Sequence, residues 1–258
     1  MILEYKGIDV FYTDQGMGDA VILLHGFLEN NTMWHDLTSQ ISIKNRVICI
    51  DLLGHGKSGC IGYIHTMEDM AEAVIAVIGH LEIKKYAIVG HSMGGYVALA
   101  IVEKYMNSVS RLCLMNSSAL NDSDEKQVNR DRAIAAVKQN HRIFVKLAIT
   151  NLFADINRVK LEMEINSVKD EALRMPLQGI IAALEGMKIR KNRTFLLKSS
   201  EFKKMMIIGR KDPVLEYDTL IEQTKNTNTE IVEFPDGHMS HIENKKELTY
   251  KIMQFIEK

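Results

Sequence analysis

A strand-like run, Tyr86 to Val89, leads into Gly90-His91-Ser92-Met93-Gly94-Gly95 and then into a helical pattern from Tyr96 to Met106. A serine on a sharp strand-to-helix turn stands out over the edge of a sheet. Such a turn demands small neighbours, here Gly90 and Gly94. The N–H of Met93, at the start of the helix, has no intrahelical acceptor and is available to a developing negative charge. The competing reading is a serine N-cap in a flexible glycine turn. The flanking strand and helix favour a nucleophile for acyl transfer.

A serine hydroxyl is a weak nucleophile without a base, and the base needs a group to orient it. Met205 to Gly209 forms a strand pattern with Asp212-Pro213 just past it, and Glu230 to Phe234 is followed by Pro235-Asp236-Gly237-His238. The order Ser92, Asp212, His238 is the one expected when the acid follows the penultimate strand of a sheet and the histidine follows the last. Asp212 taken singly could be a turn aspartate before proline, and Asp236 competes for the acid role. His241 competes with His238. It precedes Ile242-Glu243 and looks like the start of the last helix, where a histidine caps or packs, so His238 is favoured.

Near the amino end, Val21 to Leu24 runs into His25-Gly26-Phe27. The N–H of Phe27 could join that of Met93 in binding an oxyanion. His25 has no partner at metal-ligand spacing and is expected to be a hydrogen-bonded structural histidine, so no metal site is expected. Asp51 to Ser58 is glycine-rich but lacks the spacing of a phosphate loop.

These residues need a scaffold. Leu3 to Tyr12 alternates about Gly7 as a two-stranded hairpin, and six short Val/Ile/Leu-rich runs follow: 20–24, 46–50, 86–89, 111–115, 204–208 and 230–234. Each ends in Gly, Asp, Asn or Pro, as buried parallel strands do. Segments of helical period lie between them, notably Met67 to Leu81, so right-handed crossovers and a three-layer α/β architecture follow. From about Asn121 to Arg193 only helical patterns occur, such as Ile143, Leu147, Leu152 and Phe153, then Ile180, Ile181, Leu184 and Met187. This divides the chain into a core, 1–120 and 194–258, and an inserted helical cap, 121–193. Met163, Met175 and Met187 in the cap suit an adaptable apolar pocket, with core filling the better reading of any one of them.

At 258 residues one domain with an insertion is expected, and the apolar share of 46% with 25% charged residues is that of a soluble globular protein. No apolar run reaches the roughly 18 residues of a membrane span. The first residues show no secretory pattern, and a cytoplasmic location is expected. Cys49 and Cys113 lie in strand runs and suit reduced core positions. A net charge of −1 with scattered signs argues against nucleic acid as a partner. The basic run Lys188, Arg190, Lys191, Arg193 is expected to be a solvated helix end.

Five elements in order carry a resemblance: His25 to Phe27, Asp51 to Ser58, Gly90 to Gly95, Gly209 to Pro213, and Gly237 to Asn244. From His25 to the carboxyl end the chain resembles the α/β-hydrolase superfamily. In particular it resembles the small serine-nucleophile enzymes with a helical cap: carboxylesterases, lactonases, carbon–carbon bond hydrolases and the menaquinone-pathway lyase. The resemblance implies a mostly parallel eight-stranded sheet with an inserted cap. It also implies Ser92 as nucleophile, Asp212 as acid, His238 as base, oxyanion donors at Phe27 and Met93, and a structural role for the Asp51 loop. Lys203, Lys204 and Lys245 depart from the pattern without touching this chemistry. Serine at position 92 argues against haloalkane dehalogenases and epoxide hydrolases, which use a carboxylate there.

The expectation is therefore a hydrolase of small carboxylic esters, working through an acyl-enzyme on Ser92 without a cofactor, as monomer or homodimer. Phe27, Leu28, Trp34, Met93 and cap side chains are expected to line the pocket. A lyase or carbon–carbon hydrolase on the same residues, and a hydrolase-like ligand receptor, are the alternatives. Arginines of the cap facing the pocket would favour an anionic substrate.

Overall fold

In the computed structural model, which describes residues 1–199 and 201–257, the strands follow the apolar runs of the sequence closely. β1 (Ile2–Tyr5) and β2 (Ile8–Gln15) form the expected hairpin, followed by β3 (Asp19–Leu24), β4 (Asn45–Ile50), β5 (Tyr86–His91), β6 (Val109–Met115), β7 (Lys203–Gly209) and β8 (Thr229–Phe234). Among the described residues they make one eight-stranded sheet in the order β1-β2-β4-β3-β5-β6-β7-β8. β2 is antiparallel to β1 and β4, and the remaining pairs are parallel. The carboxyl ends of β3, β5, β6, β7 and β8 therefore share one edge, where an open α/β sheet places its ligands.

Alternation along the central strands explains the layers. Ile22, Leu24, Ile48, Ile88, Leu112 and Met206 belong to a core shared with α2 (Met67–His80) and α3 (Met93–Tyr105). Val21, Leu23, Val47, Val89, Cys113 and Ile207 belong to a second core, shared with α1 (His35–Ile41) and the carboxyl-terminal helix. Successive side chains of a strand point to opposite faces, so a run buried on both faces must be apolar throughout. A capping box of Thr66 with Asp69 starts α2.

Between β6 and β7 lie α4 (Asp124–Thr150), α5 (Glu162–Ala172) and α6 (Leu177–Lys188), with no strand among the described residues. The expected face of α4 is corrected here: Ile143 and Leu147 are 57% and 59% exposed, while Val145 and Ile149 are buried. Asn140 breaks the helix (φ −156°, ψ 90°), which shifts the phase of every residue after it. Of the three methionines, Met163 is exposed, Met175 is buried, and Met187 lines the cavity described below.

The basic run is also corrected. Arg193 is 1% exposed and donates from Nε to Glu103 (2.9 Å) and from Nη2 to Glu68 (2.7 Å), and Arg190 is buried as well. Ion pairing, invisible in a linear charge count, takes both guanidinium groups inside. The order is completed by α7 (Tyr217–Thr224), α8 (Ser240–Glu243) and α9 (Lys245–Glu257). No helix among the described residues is long and apolar enough to cross a membrane.

Candidate active site

Ser92 sits between β5 and α3 at φ +50°, ψ −114°, a conformation that side-chain-bearing residues rarely adopt. Neighbouring hydrogen bonds hold it there. Its N–H donates to the Met115 carbonyl (2.9 Å), and its own carbonyl accepts from Ser117 Oγ (2.7 Å) and Gly95 N–H (3.0 Å). The turn closes only because α3 lies directly on the end of β3. A Cβ at Gly94 would overlap the Leu24 carbonyl oxygen and stand 2.6 Å from that of His25. Backbone on both sides cannot yield, so Gly94→Ala is expected to cost about 3 kcal/mol or more in urea unfolding. An unchanged unfolding midpoint would contradict this packing.

The loop after β8 delivers His238, whose Nε2 lies 2.9 Å from Ser92 Oγ and whose Nδ1–H donates to Asp212 Oδ2 (2.7 Å). The side chains of His238 and Asp212 are 2% and 0% exposed. Asp212 Oδ1 accepts from the N–H groups of Val214 (2.9 Å) and Leu215 (3.0 Å). Burial alone would raise its pKa. The charge and hydrogen bond of His238, with those N–H donors, outweigh burial and hold the carboxyl below its ordinary range. Both alternatives weighed from the sequence lie elsewhere. Asp236 accepts from Asn157 and Asn244, and His241 packs in α8 with its ring 5.4 Å from that of His91.

Two supports escaped the sequence reading. Asn116, fully buried at the end of β6 with φ +44°, donates through Nδ2 to Asp212 Oδ2 (3.2 Å) and the Gly237 carbonyl (3.1 Å). Its Oδ1 accepts from Ser240 Oγ (2.6 Å), so one amide ties the acid loop to both sides of His238. An asparagine ending a strand beside that of Ser92 was the only available signal.

The second support is the pair Glu29–His91. Glu29 Oε2 lies 2.6 Å from His91 Nδ1 and accepts from the Gly26 N–H (2.8 Å), while His91 Nε2 donates to the His238 carbonyl (3.0 Å). Both nitrogens of His91 thus face acceptors, which makes the ring a double donor. Potential ligand atoms of Glu29, His91 and His241 lie within 4.8 Å of one another, yet this commitment of His91 makes the cluster an ion pair. Burial would lower the pKa of His91, but the adjacent carboxylate more than offsets this and raises it. Burial would raise Glu29, and the same pairing instead holds it at about 2. Burial takes His241 to about 4, which keeps it neutral.

The contribution of Glu29 is present above its ordinary 4.5 and is lost as pH falls toward 2. That of His91 is complete below its ordinary 6.5 and is lost as pH rises through its elevated value. Glu29→Gln strands a buried imidazolium, so a loss of about 3 kcal/mol is expected in denaturant titrations near pH 5.5. The difference from wild type should shrink at either extreme of pH. A difference that is flat with pH would disprove the pairing.

His25 is structural, as expected: Nδ1–H donates to the Gly26 carbonyl (2.8 Å) and Nε2 accepts from the Leu52 N–H (2.9 Å). Burial lowers its pKa, so it remains a neutral acceptor. Asp51 likewise organises its loop, taking N–H bonds from Asn31 (2.7 Å) and Lys57 (2.8 Å).

A cavity of about 530 Å³ opens above Ser92, lined by Phe27, Leu28, Ser92, His238 and Val214 on the sheet side and by Phe144, Ala148, Leu184 and Met187 on the helical side. The Phe27 N–H has no partner among the described residues, and Met93 occupies the first position of α3, where N–H groups lack intrahelical acceptors. Two expected lining residues are corrected. Trp34 is fully buried beneath the opposite face of the sheet with Val21, Leu23 and Val47, because the 3₁₀ turn Asn31–Trp34 leads its indole inward toward α1. The Met93 side chain packs into the core under α3, leaving only its backbone for the site.

The fold is shared with known proteins. An esterase from Thermogutta terrifontis, solved with malate bound, superposes with a TM-score of 0.92 at 29% identity, covering 99% of this chain and 96% of that one. An enol-lactonase from Burkholderia xenovorans has the same fold at 19% identity (TM-score 0.91, covering both chains completely). Among curated sequences, the dihydrolipoyllysine-residue acetyltransferase component of an acetoin cleaving system from Pseudomonas putida is 28% identical over 93% of this chain. The chain spans 64% of that relative's length and 31% of the mycobacterial proteins that match at 32% identity over 41% of this chain. The family model described as alpha/beta hydrolase fold matches residues 19–245, and with the sheet order and the Ser92 turn it places the chain in the alpha/beta hydrolase fold family.

Proposed function

We propose that the chain hydrolyses small carboxylic esters through an acyl-enzyme on Ser92. The observation that carries this reading is the continuous path from Ser92 Oγ to His238 Nε2 (2.9 Å) and from His238 Nδ1 to Asp212 Oδ2 (2.7 Å), at the floor of a largely apolar cavity. Ser92 Oγ attacks the carbonyl carbon as its proton passes to Nε2. The N–H groups of Phe27 and Met93 receive the charge that develops on the carbonyl oxygen. Collapse expels the alcohol, which takes the proton from Nε2. Water then gives a proton to Nε2 and attacks the acyl carbon, the carboxylic acid departs, and Ser92 regains its proton. Asp212 stays ionised throughout and stabilises the imidazolium. Phe27 and Leu28, with Leu152 and Val214, form the apolar wall for acyl or alcohol.

A fluorophosphonate probe tests the nucleophile and 4-nitrophenyl butyrate tests the cycle. Ser92 should become labelled, and each molecule should turn over many equivalents of ester. Labelling without repeated turnover would indicate a ligand receptor built on these residues, and neither labelling nor turnover would reject the proposal.

A further inference from the structure

The charges around the cavity are unbalanced. Lys126, Asn129, Arg130 and Ala133 stand at i, i+3, i+4 and i+7 of α4, one face of a helix, and all line the cavity. Past the break at Asn140, Phe144 and Ala148 continue the lining, so the same helix is cationic at one end of the cavity and apolar at the other. Arg190 lines it too. Against these three cations the lining holds one acid, Asp122.

The bonds within this group show which charges are already matched. Asp122, with its side chain 0% exposed, binds Arg190 Nη1 through Oδ1 and Arg130 Nε through Oδ2 (3.0 Å). Arg190 is engaged structurally: Nε donates to the Leu120 carbonyl (3.0 Å), Nη1 also to that of Met187 (3.1 Å), and its plane lies 4.0 Å from the Tyr96 ring centre. Arg130 uses only Nε, and its two terminal nitrogens make no hydrogen bond among the described residues. The Lys126 ammonium has no ion pair among them. Asp124 and Glu125, in the first turn of α4, are exposed and do not line the cavity. An ammonium and the fork of a guanidinium are thus left over in a walled cavity, where an anion is attracted more strongly than in open water.

Tyr96, under Arg190, is four residues beyond Ser92 on α3, about 6 Å along the helix axis. The Arg190 guanidinium over Tyr96, and through Asp122 the Nε of Arg130, are thereby tied to the first turn of the helix that follows Ser92.

We infer that the substrate is an anionic ester, carrying a carboxylate several bonds from the scissile carbonyl that is held by Lys126 and Arg130. This deepens the ester-hydrolase reading and rests on it for the reaction, though not for the binding.

The test compares mono-4-nitrophenyl adipate with 4-nitrophenyl hexanoate, matched in length and differing in the terminal carboxylate. The ratio of their kcat/KM values should favour the adipate ester by about tenfold or more and decline with added salt. It should fall to about one in Lys126→Met/Arg130→Met. Lys126→Gln alone, which removes no hydrogen bond of the folded chain, should lower it part of the way. A wild-type ratio of one or less, or a ratio unchanged in the double variant, overturns the inference. Calorimetry with monomethyl adipate and methyl hexanoate on the Ser92→Ala protein provides the arm independent of turnover. Tighter binding of monomethyl adipate, lost with Lys126→Met/Arg130→Met, supports the site even if the wild-type protein hydrolyses neither nitrophenyl ester, in which case only the esterase reading fails. Equal binding of the charged and the uncharged ester overturns the site.

Discussion

Ser92→Ala should lower kcat for 4-nitrophenyl butyrate by about 10⁶-fold, the scale seen when the nucleophile of a coupled serine, histidine and carboxylate is removed. The fold should survive. The bonds holding the turn are made by the backbone of residue 92 with Met115, Gly95 and Ser117, and alanine keeps all of them. What disappears is the one oxygen 2.9 Å from His238 Nε2. Residual hydrolysis above the rate in water should persist, because the N–H groups of Phe27 and Met93 are backbone and remain. Steady-state kinetics on the purified variant, with fluorophosphonate labelling as control, decide the matter. A rate within tenfold of wild type would remove Ser92 from the chemistry.

Asp212→Asn tests the other end of the path, with an expected loss in kcat of about 10⁴-fold and little change in KM. The two sides of the carboxylate have different surroundings. Oδ1 accepts from two backbone N–H groups, whereas Oδ2 accepts from His238 Nδ1–H and Asn116 Nδ2. An asparagine keeps its oxygen toward the backbone donors, which turns its NH₂ toward two further donors. The imidazole relieves that conflict by moving its proton to Nε2, and it then presents a donor to Ser92 where a base is required. Because Asp212 is buried behind His238 and does not itself line the cavity, substrate binding should change little. A kcat within tenfold of wild type would show that Asp212 is structural, the reading that its place before Pro213 allowed.

Much of the architecture was legible because it is local. The six apolar runs became strands within a residue or two of the expected limits, since a parallel strand buried on both faces admits few polar residues along its length. The turn at Ser92 was legible because a sharp strand-to-helix turn places glycines at fixed offsets: Gly90 lies against the backbone of Gly94 and Gly95, although it is the distant end of β3 that excludes a side chain at Gly94. The order of Ser92, Asp212 and His238 then followed from counting strands. Where the reading failed, an unsignalled break in the backbone or a distant packing partner decided. Ile143 and Leu147 continue a helical period, but the break at Asn140 turned them to solvent. Trp34 belongs to a segment that approaches the site, yet its indole went to the opposite face of the sheet.

The amino-acid pattern alone thus settled the fold class and named the three residues that meet at the sheet edge, because periodicity, glycine placement and strand order are properties of short stretches. Only the folded chain could match Asn116 to Asp212 and Gly237, pair Glu29 with His91, bury Arg190 on Tyr96, and leave the Lys126 ammonium and the terminal nitrogens of Arg130 beside the cavity. Those pairings join residues from separate parts of the chain. Which donor meets which acceptor is set by how the loops close over the sheet, and buried polar groups tolerate only a closure that satisfies them.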